Sequence, residues 1–313
     1  MTELPITLAP IISTAELRAL GYSSQTTQKL IRTRALIPLA RGWYSPQQPP
    51  TPEIRHRLIT LAAMRTLGAG CVASHYSALL QRDLPIYDAD LTTVHLSRVA
   101  RGRPVTRRGL VVHRPIPAEA VVGPQIHLGL AIAQNGIVCG PMACLIAADA
   151  ALHRGLLTRE DLSQALDWVR GHPNTGQLDA FLRRADARSE SPGETRLRYA
   201  FHLMGHRVIP QSLIRDGSFC ARVDFQLVDA KVIVEFDGLV KYGRGEEADG
   251  QPSGRDALVA EKVREDRLRE LGYEVVRVTW AELANLPALA RRMRAAINRA
   301  QARRGTGQRS QSA

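Results

Sequence analysis

Two acidic residues, Asp224 and Glu235, lie in a stretch whose residue pattern predicts neighbouring strands. Apolar and polar residues alternate twice across residues 220–238, on either side of a short polar break, which is typical of half-buried antiparallel strands. If Asp229 and Ala230 form the turn, the register sets Asp224 opposite Glu235. Opposed side chains lie about 4.5–5.5 Å apart at Cβ, and like charges there are destabilising unless a cation lies between them. The spacing therefore predicts a cation site.

The same register separates an apolar face of the hairpin from a polar one. Arg222 is expected opposite Asp237 on the polar face. A four-residue loop keeps this register, whereas a slip by one residue would mix the two faces. The apolar face is expected to contain three opposed pairs, which are Val223 with Phe236, Phe225 with Val234, and Leu227 with Val232.

The donor atoms of the two acids decide which ion suits them. Asp224 and Glu235 offer only oxygen, and no histidine or cysteine pair lies nearby in the sequence. Oxygen ligands favour a hard ion, Mg2+ or Mn2+, over zinc. Such an ion can bridge a phosphate and activate water. The alternative is a solvated sheet face with ordinary surface charges; Gly238, where the chain must turn beside the carboxylates, favours the ion site.

Composition limits the class of protein. A chain of 313 residues, 44% of them hydrophobic, can form two or three domains with cores of their own. The formal charge of +12 favours a polyanion such as DNA as the partner. No secretion signal and no long apolar run is present, which predicts neither export nor membrane insertion. Four cysteines without a CxxC pair indicate reduced thiols, so a cytoplasmic protein is expected.

Residues 1–48 predict a small DNA-binding domain. A capping sequence at residues 13–16 starts one helix, a second is expected from Ser23 or Ser24 to Arg32, and a hairpin with a turn at residues 40–42 follows. This order resembles a winged helix-turn-helix, in which the second helix contacts bases and the wing contacts the DNA backbone. An adaptor of the same shape that binds protein is the alternative. The candidate DNA-binding residues are Thr26, Thr27, Lys29, Arg32 and Arg41.

Residues 51–174 predict a mixed α/β middle domain that contains no catalytic constellation. Strands are expected at residues 93–96 and 110–113, and helices at 141–152 and 158–169. Arginines crowd the turn-rich segment 98–114, which is either a phosphate clamp or a solvated hairpin. Four histidines lack metal-ligand spacing and are predicted to be ordinary, partly buried side chains: His75, His95, His113 and His127.

The last domain, residues 189–300, contains the acidic hairpin. A helix is expected from Ser191 to near Gly205, and Glu194 in its first turn has two interpretations. Glu194 either joins the hairpin carboxylates as a further ligand or completes a capping box with Ser191. A strand over residues 273–279 and a closing helix follow, and the basic residues 301–313 are expected to form a disordered tail.

A helix predicted over residues 255–271 would bring an arginine side chain to the carboxylates of this domain. Its apolar arc includes Arg264 and Arg267, whereas Lys262 points roughly the other way. Arg264 is therefore expected on the side facing the sheet, near the carboxylates. The apolar members of the arc are Val259, Ala260, Val263, Leu268 and Leu271.

The chain resembles two known families. The AbiEi-type antitoxin arrangement is similar to the N-terminal winged helix with its middle domain. The last domain resembles the very-short-patch-repair-like branch of PD-(D/E)XK endonucleases, which implies a restriction-endonuclease-like α/β fold. That second resemblance is carried by Ser191-Pro192-Gly193-Glu194, Val223-Asp224-Phe225, Val234-Glu235-Phe236-Asp237-Gly238, Glu261-Lys262-Val263-Arg264-Glu265-Asp266 and Leu271-Gly272-Tyr273.

The nuclease resemblance implies roles for individual residues. Asp224 and Glu235 would be metal ligands, with Glu194 assisting, and Arg264 would contact the site or the scissile phosphate. The sequence departs from the family at one place, because Asp237 stands where the E-x-K signature has its lysine. Either Lys241 supplies the missing charge from the following loop, or Asp237 is an extra ligand.

Together these observations predict a cytoplasmic, Mg2+- or Mn2+-dependent DNA endonuclease, in phage defence or repair, that is targeted by its winged helix. The alternative is a non-catalytic DNA-binding regulator of the antitoxin type, in which the nuclease-like fold serves binding or dimerisation. The sequence leaves open a homodimer and a toxin or operator partner. The target sequence, and the choice between DNA and RNA, are not encoded in any motif of the chain.

Overall fold

The computed structural model describes residues 9–238 and 254–309. The fold is mixed α/β, as the sequence predicts. Contacts between residues divide the chain into two compact units, Met1–Ala185 and Asp186–Ala313. None of the helices in the described ranges is both long and apolar enough to cross a bilayer.

The first unit begins with two short helices and a small antiparallel sheet with strand order β1-β3-β2. The predicted capping box is confirmed, since the Ser13 hydroxyl accepts from the backbone N–H of Glu16 and the Glu16 carboxylate accepts from that of Ser13. Leu17 and Leu36 are fully buried between these elements. The elements are β1 (Ile12–Ser13), α1 (Thr14–Ala19), α2 (Ser24–Arg32), β2 (Ile37–Ala40) and β3 (Trp43–Ser45).

A longer helix leads into the rest of the first unit. This helix, α3 (Pro52–Leu67), starts with a Thr51 cap and a proline in its first turn, and ends at Gly68, as predicted. It is followed by a four-stranded sheet of order β4-β5-β7-β6, in which β5 and β7 are parallel. These elements are β4 (Cys71–Ala73), α4 (His75–Leu80), β5 (Val94–Arg98), β6 (Val105–Arg107) and β7 (Leu110–Pro115).

Helices complete the first unit. Two of them, α5 and α6, are rich in alanine and other small residues and are mostly buried, which lets them approach each other closely. The remaining elements of this unit are β8 (Val121–Val122), β9 (Gln125–Ile126), α5 (Leu128–Cys139), α6 (Pro141–His153), α7 (Arg159–Trp168) and α8 (Thr175–Leu182).

The second unit is a four-stranded sheet of order β10-β11-β12-β13. β11 and β12 form the predicted antiparallel hairpin, and β12 and β13 are parallel, joined by a crossover that contains α10. The elements are α9 (Pro192–Leu203), β10 (Val208–Asp216), β11 (Phe219–Leu227), β12 (Val232–Asp237), α10 (Gly254–Glu270), β13 (Glu274–Thr279), α11 (Trp280–Leu283) and α12 (Leu286–Arg309).

The prediction of the hairpin's apolar face is wrong for one residue, Val223. Phe225 packs in the cluster that includes Phe201 of α9 and Met293 of α12, whereas Val223 packs with Ile233 and Leu268 in a second cluster. The change occurs at Asp224, opposite Gln211 of β10, which has a left-handed φ of 52°. A left-handed residue within a strand interrupts regular side-chain alternation.

Two further predictions differ from the structure. Val259 and Val263 of α10, predicted on its buried arc, are 58% and 63% exposed, whereas Arg264 and Leu268 of that arc are half-buried and buried, as predicted. Glu261 and Glu265 are half-buried as well. The helix therefore turns a largely charged face to the sheet. Residues 301–309, assigned to a disordered tail by their charge, continue α12, while 310–313 lie outside the described residues.

Candidate functional site

The hairpin register brings the two predicted acids to neighbouring strands. Phe225 pairs with Val234, as predicted, and Gln226 pairs with Ile233. The backbone pairing ends at Phe225 and Val234, which are the sequence neighbours of Asp224 and Glu235. Beyond it the backbone N–H of Phe236 donates to Asp224 Oδ2 at 2.8 Å instead of to a strand carbonyl. The strands thus diverge at the acids, and the expected Val223–Phe236 and Arg222–Asp237 backbone pairs do not form.

Burial dominates the electrostatics of these two carboxylates. It raises the pKa of Asp224, and the negative charges of Glu194 and Glu190 raise it further, against the lowering effect of the Phe236 N–H. Burial likewise raises the pKa of Glu235, to which the charge of Asp224 also contributes, although its hydrogen bond from Arg264 lowers it. Burial is therefore the main cause of both raised pKa values, and the charge of Asp224 adds a smaller effect at Glu235.

Arg264 lies where the helical wheel placed it, beside Glu235. Its Nη2 is 2.7 Å from Glu235 Oε1 and 2.8 Å from Glu261 Oε1, and both acids raise its pKa further. On the adjacent strand, Arg277 Nη2 pairs with Glu261 at 2.5 Å and with Glu265 at 2.8 Å. Arg277 Nε is buried and has no hydrogen-bond partner among the described residues, and it lies 3.8 Å from Glu235 Oε2. Glu235 thus stands between two guanidinium groups.

Glu194 occupies the first turn of α9 and is 7% exposed. Its carboxylate accepts hydrogen bonds from the backbone N–H of Glu190, from the Ser191 hydroxyl and from the Gln211 amide, at 3.0, 2.8 and 2.9 Å. The Ser191 hydroxyl in turn accepts from the backbone N–H of Glu194. Of the two interpretations of Glu194, the hydrogen bonds match the capping one, with Glu190 rather than Ser191 as the backbone donor.

The remaining candidates around the hairpin are dispersed. Arg222 forms a two-pronged ion pair with Glu190, at 2.6 and 3.1 Å, and not with Asp237. Asp237 is half-buried at the end of β12, where it pairs with Thr279 in the parallel ladder. Lys241 lies outside the described residues.

The donor set determines whether a hard ion fits. Asp224 Oδ1 accepts no hydrogen bond from the described residues, so it is open to an ion. Glu194 does not join as a third ligand, because the three carboxylates do not bring donor atoms within 4.8 Å of one another. Mg2+ is commonly held by one or two carboxylates together with water and phosphate oxygens. Asp224 and Glu235 are the two carboxylates that would hold such an ion, with Glu235 Oε1 also paired with Arg264.

The candidate DNA-binding residues divide into two groups. Thr26, Lys29 and Arg32 are exposed on α2, and Arg41 is exposed in the turn between β2 and β3. Thr27 is wrong as a base-contacting residue, since it is 8% exposed and its hydroxyl donates to the Ser23 carbonyl. On a helix with this spacing, Thr27 turns inward while its neighbours face solvent.

The sequence does not predict one cluster of three histidines. His75, His95 and His113, predicted to be ordinary histidines, bring one ring nitrogen each within 4.8 Å of the other two. Within the described residues they form the one such group of three or more potential ligands. No short motif signals it, because the residues come from three different elements.

No protein-family model matches the chain, and no curated protein sequence matches it significantly.

Proposed function

We propose that the chain is a metal-dependent DNA endonuclease. Its second unit would be the restriction-endonuclease-like domain, and the two short helices and hairpin of the first unit a winged helix-turn-helix. One observation carries the proposal: Asp224 and Glu235 are partly buried carboxylates with raised pKa values, and both lie where the ladder between β11 and β12 ends. Carboxylates whose pKa values are shifted by burial cluster at functional sites.

Each residue of the site has a distinct role in hydrolysis. Asp224 and Glu235 hold the ion, which supplies positive charge that polarises the phosphate and lowers the pKa of the attacking water. Arg264, anchored by Glu261 at 2.8 Å, would turn an N–H now bonded within the protein to the charge that develops on phosphate oxygens. Arg277, held by Glu261 and Glu265, adds positive potential beside Glu235. Substrate binding would exchange some of these internal ion pairs for contacts with phosphate.

The winged helix would bring the substrate to this domain. Thr26, Lys29 and Arg32 face solvent on α2, and Arg41 faces solvent in the hairpin turn, so all four are available to phosphates and base edges. The net charge of +12 supports a polyanionic substrate. The resemblance to repair-type nucleases favours a role in phage defence or repair.

Plasmid cleavage tests the proposal. The wild-type chain, Asp224→Asn, Glu235→Gln and the exposed control Asp266→Asn are purified identically and incubated with supercoiled DNA and Mg2+ or Mn2+. We expect the wild type and the control to nick the plasmid, chelator to abolish nicking, and both site variants to be inactive. Equal nicking by all four proteins would exclude this site.

The second candidate function is a non-catalytic DNA-binding regulator, and the Arg264–Glu235 pair favours it. That pair, at 2.7 Å, satisfies Glu235 without any ion, as a purely structural network would. A regulator would protect a specific DNA sequence from footprinting reagents. Protection would survive Asp224→Asn and would be lost when Lys29, Arg32 and Arg41 are neutralised together.

A further inference from the structure

Three histidines converge in the first unit, far in sequence from the acidic hairpin. His95 lies on β5 and His113 on β7, and His75 is the first residue of α4, directly after β4 and Ser74. In the parallel ladder His113 pairs with Ser97, so it is one position along the same face from His95. The sheet therefore fixes two of the rings side by side, and the β4–α4 connection brings in the third.

The distances suit a shared ion. His95 Nδ1 and His113 Nε2 are 2.8 Å apart, and the potential ligand atoms of all three residues lie within 4.8 Å of one another. A four-coordinate ion with bonds of about 2.0–2.1 Å requires nitrogen separations of about 3.3 Å. The rings of His75 and His113 are stacked with centroids 4.0 Å apart, so ion binding would turn at least one ring until the three lone pairs converge.

The rings are held in the form that binds metals. Burial lowers the pKa of His75, and the neighbouring His113 and His95 lower it further. Burial lowers the pKa of His95 to about 4, and that of His113 below its ordinary value. Neutral imidazole has the lone pair that a metal needs, so protons do not compete for these nitrogens near neutral pH.

The backbone and the polar neighbours are also unusual here. His75 has a φ of 52°, a left-handed conformation that is unfavourable for a residue other than glycine. The Ser74 hydroxyl is 3.0 Å from His75 Nδ1, which orients that ring and leaves its Nε2 available. Ser97 Oγ is buried with no hydrogen-bond partner among the described residues, next to His113 across the ladder. A strained residue and an unsatisfied hydroxyl are costs that a bound ion with its water would offset.

A cavity opens on the same cluster. It has a volume of about 660 Å³, and His75 and His113 form part of its wall together with Arg114 and Gln134. Gln134 Oε1 is buried with no hydrogen-bond partner in the described part of the chain. A site with three protein ligands that faces a cavity keeps room for an exchangeable fourth ligand.

We propose that His75, His95 and His113 bind one divalent transition-metal ion, of which Zn2+ is the best match, and leave a fourth coordination position open to this cavity. Three nitrogen ligands favour Zn2+ over the hard ions that suit Asp224 and Glu235. Water or a small anion would take the fourth position, and Arg114 on the cavity wall favours the anion. The site is thus separate in chemistry from the proposed nuclease site.

Binding requires one change of tautomer. Without an ion, His95 Nδ1 and His113 Nε2 share one hydrogen, carried by one of the two rings. When the ion binds both nitrogens, that hydrogen leaves through solvent while the other nitrogen of the same ring takes up a proton. Each ring stays neutral, and no net proton is released.

Metal titration of the tag-free protein, after dialysis against a chelator, tests the proposal. We expect calorimetry to show one Zn2+ per chain, and Co2+ to give the visible absorption of a four-coordinate complex. Single substitutions His75→Asn, His95→Asn and His113→Asn should each weaken Zn2+ binding at least tenfold. The exposed control His202→Asn should bind as the wild type does.

X-ray absorption on the wild-type protein provides a readout that does not depend on the variants folding. We expect three imidazole nitrogens at about 2.0–2.1 Å from the zinc. The proposal is overturned if the wild type binds no Zn2+ or Co2+, if the absorption spectrum shows fewer than three imidazole ligands, or if all three folded variants bind as tightly as the wild type.

Discussion

At the scale of single residues, the second unit is distinguished by charges that are paired under partial burial. Glu235 has only 14% of its side chain exposed and contacts Arg264, whose side chain is 27% exposed. A partly buried charge that loses its partner keeps its desolvation cost. Arg264 therefore stabilises Glu235 whether or not the site also binds an ion.

Replacing Arg264 tests this dependence. We expect Arg264→Met to lower the free energy of unfolding at pH 7 by about 1–3 kcal/mol, because Glu235 and Glu261 lose their shared partner. The matched control is Lys262→Met, an exposed cation two residues away on the same helix, which should change stability by less than about 0.5 kcal/mol. Urea unfolding measures both; equal effects would contradict a special role for Arg264.

The raised pKa of Asp224 predicts a dependence of stability on pH. Because burial raises the pKa in the folded state above that of the unfolded chain, the folded state binds the proton more tightly, and Asp224 destabilises the fold once pH rises through the folded pKa. Asp224→Asn should therefore unfold at higher urea than the wild type at pH 7.5, in the presence of chelator. The gain should shrink as pH is lowered toward about 4, where wild-type Asp224 is protonated as well.

Asp266→Asn, at an exposed position of α10, is the control for that experiment. It should show no comparable gain at pH 7.5. A gain for Asp224→Asn that is the same at both pH values would mean that packing, and not the carboxylate charge, is responsible.

At the scale of elements, the contact between α9 and β12 positions the acids. Gly193 in the first turn of α9 lies against Phe236, which directly follows Glu235. A Cβ at Gly193 would be 1.9 Å from the Phe236 ring. The ring also packs edge-on against Trp280, with centroids 5.0 Å apart, so it has little freedom to move. The close approach of α9 requires glycine at this position.

Alanine at Gly193 tests this contact. We expect Gly193→Ala to destabilise the protein by about 1–3 kcal/mol, since the new methyl group forces Phe236 or α9 to shift. The control is Gly176→Ala in α8, where a Cβ would meet no atom within 4 Å; there the higher helix propensity of alanine should stabilise by about 0.5–1 kcal/mol. Thermal unfolding compares the two. Equal stability of both variants would show that Phe236 moves aside without a measurable cost in the free energy of unfolding.

At the scale of the whole molecule, each unit has a hydrophobic core of its own. Leu17 and Leu36 belong to a core of the first unit, and Phe201, Phe225 and Val234 to a core of the second. The histidine cluster lies entirely in the first unit and the acidic hairpin entirely in the second. The two proposed metal sites therefore depend on different folding units.

Separate expression of residues 1–185 and 186–313 tests this independence. We expect each fragment to unfold cooperatively in urea, because each retains its core. Only the first fragment should bind Zn2+ through the histidines. A control fragment, 206–313, lacks α9 and with it the buried Leu197 and Phe201, so it should not fold. Cooperative unfolding of fragment 206–313 would show that its core does not need α9. Non-cooperative unfolding of fragment 186–313 would contradict the division into two units.

Much of the second unit could be predicted from the sequence because the relevant interactions are local. The pairing of Phe225 with Val234 follows from alternation on either side of one short loop, and the helix position of Arg264 follows from the 3.6-residue period. The switch of Val223 to the other cluster could not be predicted, because it depends on packing against Leu268 of α10 and not on the residue types of the hairpin.

The sequence by itself determined the mixed α/β class, the capped helices and the hairpin that carries Asp224 and Glu235, since each of these depends on residues within one turn or one loop of each other. The tertiary structure alone decided that Arg264 and Arg277 flank Glu235, and that His75, His95 and His113 meet beside a cavity. These side-chain contacts depend on which strands are neighbours in the sheet and on the register between them. That choice is made by the packing of the whole unit, so no short stretch of the chain encodes it.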